Sequence, residues 1–289
     1  MPVPPRPRRT FLRKKPRAVL PALAGLVLVG AAVFLALPHQ EEPRPVTLDE
    51  AQRLAMTRFT LYEAGTVRVD TTVEAGGGTT TVHGLVDFRT RHAVGRYTAT
   101  RAGGTETGLI AWDTTGLAVA PGPASVHGPA SVSGPGGMAA AVRAAAAVQP
   151  RSWSPRAYTG DPLDSALRLV MSLAADRPDN PQLLTRAGPR YLREETLGAT
   201  AYAVLSGPRR SGGPRGGRSP LTYWVDGEGR LGRLEAVIAS LPHPARMEFA
   251  PGPAGLHVPA RPWPGKPGPP PSISSGRSGT GDSDRPGPR

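Results

Sequence analysis

The chain changes hydrophobic rhythm three times. Residues 18–37 have no rhythm: AVLPALAGLVLVGAAVFLAL is apolar throughout, with no charged or strongly polar side chain. A helix of that length spans the roughly 30 Å hydrocarbon core of a bilayer. The spacing then becomes helical. Leu48, Ala51, Ala55, Phe59 and Tyr62 recur three and four residues apart, which predicts one buried stripe on a helix over 47–63. Thr47 and Glu50 stand where a capping box would start it, and Gly65 would stop it.

From Thr66 the period is two. Val67, Val69, Thr71 and Val73 alternate with Arg68, Asp70 and Thr72, the signature of a half-buried strand. Glycines at 76–78 make a turn, and β-rich runs follow at 79–88, 93–101, 109–112 and 117–120. Five strands with tight connections predict an antiparallel meander. Residues 122–137 interrupt it with GPASVH, GPASVS and GPGGMA, a short Gly/Pro/Ser repeat read as a flexible loop. An Ala-rich helix is expected over 138–148. Asp161-Pro162 and Asn180-Pro181 each place a capping side chain before a proline, and so begin two more helices. Strands resume over 191–205, then as a hairpin at 221–225 and 231–238, and finally at 246–249 and 256–259. Residues 207–220 (GPRRSGGPRGGRSP) and 262–289 have the composition of disordered segments.

Charge sharpens the reading of the apolar run. Of 35 basic residues in a chain of net charge +13, seven lie within residues 1–17, which hold no acid. The positive-inside rule then puts 1–17 in the cytoplasm and everything from 38 onward outside. The run is longer than a signal-peptide core and no A-x-A site follows it, so an uncleaved anchor is favoured over a cleaved signal. Arg8-Arg9-Thr10-Phe11-Leu12-Arg13 is similar to a twin-arginine export signal, the alternative being an ordinary basic flank. Only three of the basic residues are Lys, the bias of a high-GC, actinobacterial type of genome. There is no cysteine, which excludes disulfides, thiolate metal sites and a lipidated Cys after the apolar run. The expected organisation is thus a basic tail (1–17), an anchor (18–37), a linker (38–46), a head (47–261) and a disordered tail (262–289).

Candidate chemistry is sparse. Gly227-Glu228-Gly229-Arg230-Leu231-Gly232 has the form G-x-G-x-x-G, but a β-rich run follows it instead of the helix that a dinucleotide site needs, so it reads as a hairpin turn. His39, His83, His92, His127, His243 and His257 show no metal-ligand spacing, and no G-x-S-x-G elbow is present. Arg209, Arg210, Arg215 and Arg218 would resemble an RNA-binding segment in the cytosol; outside the membrane they would face anionic lipid or wall polymers, the favoured alternative being an unselected Gly/Arg insertion between two strands. Trp112, Tyr223 and Trp224 in strands, and Leu167 and Val170 on the third expected helix, are candidates to line an apolar cavity, the alternative being plain core. No catalytic residue, metal or cofactor is assigned, and the chain is read as a non-enzyme.

Three stretches carry a family likeness. Gly84-Leu85-Val86-Asp87-Phe88-Arg89-Thr90, Tyr223-Trp224-Val225-Asp226-Gly227-Glu228-Gly229-Arg230-Leu231, and residues 247–259 resemble the second strand, a W-V-D-x-x-G hairpin and the closing strands of the LolA-like superfamily, in particular mycobacterial lipoproteins of the LppX/LprG type. The resemblance implies an α+β head: an open, curved antiparallel half-barrel with short helices on its concave face and a cavity for acyl chains. It implies a membrane-anchored extracytoplasmic protein that binds a lipid or other apolar ligand. The second expectation is an envelope-stress sensor that binds a regulatory membrane partner such as an anti-sigma factor. The expected partners are therefore the bilayer, an apolar ligand or that protein, and no nucleic acid. The chain departs from those lipoproteins in keeping a spanning segment where they carry a lipidated Cys.

Overall fold

The structure, a computed structural model, describes residues 42–122, 135–208 and 219–263. The expected anchor, most of the repeat loop, the basic loop from 209 to 218 and the tail from 264 lie outside these residues. Among the described residues no helix is long and apolar enough to cross a membrane.

The described residues form twelve strands in one wholly antiparallel sheet, with four α-helices. In chain order they are β1 (Arg44–Pro45), α1 (Leu48–Ala64), β2 (Thr66–Ala75), β3 (Gly78–Asp87), β4 (His92–Arg101), β5 (Gly104–Asp113), β6 (Gly116–Pro121) and α2 (Pro135–Ala147). Then come β7 (Ser154–Ala157), α3 (Pro162–Ser172), α4 (Pro181–Arg186), β8 (Arg190–Leu197), β9 (Thr200–Ser206), β10 (Leu221–Val225), β11 (Leu231–Ala236) and β12 (Ala245–Pro251). The strand order is β1-β8-β9-β10-β11-β12-β2-β3-β4-β5-β6-β7. The sheet is not closed: β1 and β7 are its edges. It joins two meanders, β2 to β7 and β8 to β12, at the β12–β2 seam, where Met247 faces Thr71 and Phe249 faces Val69.

Strand parity assigns the two faces. One cross-strand row runs Tyr191, Leu205, Tyr223, Leu234, Met247, Thr71, Val82, Tyr97, from β8 to β4. This is the front face. Here Val67, Val69, Val73, Val82, Val86 and Ile110 meet Leu61 of α1 and Ala166, Leu167 and Val170 of α3 in the largest core cluster. On the back of β3 to β6, Leu85, Val94, Leu109 and Ala111 are covered by Met138, Val142 and Ala145 of α2. The helices therefore do not share one face, as the resemblance implied: α2 covers the back. The cause is the apolar parity of β3 to β5, which present large side chains on both sides and need cover on both.

The local signals place most elements. Thr47 Oγ1 accepts from Glu50 N at 3.2 Å while the Glu50 carboxylate accepts from Thr47 N at 2.8 Å, the reciprocal box that starts α1. Asp161 and Asn180 cap α3 and α4 through Leu163 N and Gln182 N. Asp226 accepts from Glu228 N and Arg230 N, closing the β10–β11 turn that carries the G-x-G-x-x-G letters. Trp112 lies against Gly84, where a Cβ would sit 2.3 Å from the indole Cη2.

Four expectations are corrected. The buried stripe of α1 is Ala51, Leu54, Ala55 and Leu61, while Leu48 is 53% exposed. Residues 256–259 form no strand; prolines at 251, 253 and 259 leave too few ladder donors, and Leu256 and Val258 pack on the back cluster instead. The linker holds β1, which pairs with β8 through Arg44 and Tyr191. The packed region extends past 261, since Trp263 is buried in the back cluster.

Candidate functional site

On the front face a groove of about 250 Å³ opens between α1, α3, α4 and β10. Leu54, Leu169, Leu173, Leu184 and Tyr223 wall it, with Arg58 and Asp179 as its charged residues. The chain leaving α3 is tied to α1 by main-chain bonds from Ala175 N to Arg58 O (3.1 Å) and from Asp179 N to Ala55 O (3.0 Å). Arg58 Nη1 meets Asp179 Oδ1 at 3.2 Å, and its Nε donates to Leu173 O at 3.3 Å. The arginine thus holds two segments against the helix at the groove.

Burial pushes the Tyr223 hydroxyl up to about 12, the Arg58 charge working against that and Asp179 with it. The group stays a neutral phenol at any physiological pH. It makes no hydrogen bond among the described residues, so it is free to donate one to an acceptor in the groove. A second hollow of about 410 Å³ lies at the other end of α1, bordered by Leu61, Val67, Tyr202, Phe249 and the Asp226–Arg230 turn. A third, of about 210 Å³, lies behind the sheet.

The five residues expected to line a cavity fall in different places. Tyr223 reaches the groove. Leu167 and Val170 are fully buried under α3 in the front core. Trp112 is buried against Gly84 and also borders the cavity behind the sheet. Trp224, adjacent to Tyr223, points the opposite way because strand neighbours alternate. It sits among charges, with the guanidinium groups of Arg193 and Arg233 at 5.7 and 5.3 Å from its ring. Its row continues across the back as Arg233, Glu248, Asp70 and His83, linked by Arg233 Nη2 to Glu248 Oε1 (2.9 Å) and His83 Nδ1 to Asp70 Oδ1 (3.0 Å).

Sequence reasoning missed Arg58, Asp179 and Leu54. Arg58 interrupts no apolar stripe, and Asp179 lies in the polar stretch 176–179 between α3 and α4, which has no periodicity. The only available signal was Leu54, four residues before Arg58 on the helix. Among the described residues, no three His, Asp or Glu side chains gather where they could hold a metal ion. The groove presents leucine side chains, one phenol hydroxyl and one ion pair. A search of protein-family models and of curated proteins finds no match to this chain.

Proposed function

We propose that this chain is a membrane-anchored extracytoplasmic binding protein whose groove beside α1 holds a lipid or other apolar ligand without transforming it. The observation that carries the reading is the groove itself: leucine walls, a half-buried phenol with an unused donor, and an ion pair, formed where helices lie on an unclosed antiparallel sheet. An unclosed antiparallel sheet with helices on its front face is the coarse architecture that the LolA-like resemblance implies, with α2 on the back as the departure. Pockets that bind small molecules are mostly apolar with few polar groups to fix orientation, and this groove has that balance. The basic 1–17 and apolar 18–37 support placement at the outer membrane face.

Native mass spectrometry of the full chain, released from detergent, tests the proposal. The expected result is a bound acyl-chain species in the wild type that is lost in Leu169→Trp, which fills the groove from a half-buried position. Absence of any adduct in the wild type, together with recovery of one regulatory membrane protein in envelope pull-downs, would replace the carrier with the sensor.

A further inference from the structure

The cavity behind the sheet has a different architecture from the groove. It lies on the opposite face, between the sheet, the last turn of α2, the 3₁₀ turn Pro150–Ser152 and residues 259–263. Val94 and Ala111 form its floor, Ala145 and Val148 one wall, and Trp153 and Trp263 contribute aromatic surface. Its volume of about 210 Å³ exceeds the roughly 150 Å³ of an apolar cavity that admits benzene. One six-membered ring with a short substituent fits.

Two further observations narrow the occupant. First, the walls ask for no charge. Arg261, the cation at the rim, already donates to Asp113 Oδ2 at 3.1 Å and lies 5.8 Å from the Trp263 ring. Second, Trp153 and Trp263 bring two flat rings to the lining, which suit an aromatic guest in offset or edge-to-face contact.

From this geometry we infer that the back cavity is a second binding site, for a small uncharged aromatic molecule. The site does not depend on the groove's holding a lipid. The residues from 259 to 263 close it as a strap, latched at Asp113. That carboxylate also accepts from Thr115 N and Oγ1 and from Gly116 N, so the anchor point of the latch is rigid. Ala146, exposed on α2 and part of the cavity lining, stands at the entrance.

The test is an NMR titration of the full chain in lipid nanodiscs, labelled with ¹⁵N-tryptophan, using toluene as the probe. Toluene is expected to move the indole resonances of Trp153 and Trp263 saturably, while Trp224, among the charges of the sheet, stays in place. Ala146→Phe, at an exposed position that the fold tolerates, should abolish the shifts while leaving the unliganded spectrum intact. Ala145→Leu should do the same from inside. Equal movement of all four indoles, no saturable movement, or shifts that persist in Ala146→Phe would overturn the site. Leu169→Trp, which blocks the groove on the other face, should leave this titration unchanged.

Discussion

At the scale of single residues, the firmest anchor is Asp164. Its side chain is fully buried on α3 and accepts from Arg156 Nη2 at 2.8 Å and from Thr159 N and Oγ1 at 2.7 Å each. Burial alone would raise its carboxyl, but the bonds from Arg156 and Thr159 outweigh that and hold it below the usual range. Asp113 follows the same pattern: burial raises it, and donors from Thr115, Arg261 and Gly116 bring it lower. Both carboxyls are therefore easier to ionise in the folded chain than in the unfolded one, whose value is near 3.8. Their stabilisation is complete above that value and is lost as pH falls below it through the lowered folded values. The melting temperature should hold steady from neutral pH to about 5 and decline more steeply below 4, and Asp164→Asn should flatten the decline. At neutral pH, Asp164→Asn should cost about 3 kcal/mol in urea unfolding, because it leaves the Arg156 charge partly buried without its counterion. The exposed Asp176→Asn is the control and should change stability by less than about 0.5 kcal/mol.

At the scale of elements, two devices are open to direct test. Thr47→Ala removes one half of the reciprocal cap on α1 and should cost about 1 kcal/mol. Gly84→Ala forces a Cβ to within 2.3 Å of Trp112 Cη2. The resulting overpacking should cost about 2 kcal/mol and alter the near-UV dichroism of the indole. Caps, turns and alternation were legible in the sequence because each is a local rule satisfied by residues within five positions of one another. The helix caps, the five-strand meander and the β10–β11 hairpin all come from that source. Edge strands β1 and β7 were not legible, since two to four residues carry no period. Nor was the groove: Arg58, Asp179 and Tyr223 are brought together by main-chain bonds between α1 and residues 175–179, contacts that no spacing encodes. Leu167 and Val170 were right as an apolar face, but periodicity cannot distinguish a face that fills a core from one that lines a cavity.

At the scale of the whole molecule, the apolar run and the head make separable predictions. Intact-mass and N-terminal sequencing of the membrane fraction should find residues 18–37 retained; a mature terminus between 36 and 40 would make the head a released protein. The β12–β2 seam has a consequence for how such a head is made. Residues 66–75 find their upper neighbour 78–87 at once, but their other neighbour is 245–251. Loop closure over that separation is slow and comes late in folding. During synthesis the first meander must wait with one margin of β2 unpaired until nearly the whole head has emerged. Amide hydrogen exchange pulsed during refolding should therefore protect the β3–β4 ladder first and the Val69–Phe249 register last. A chain exported unfolded would form that open margin only after emerging on the far side, whereas a chain exported through the twin-arginine route would have closed it beforehand.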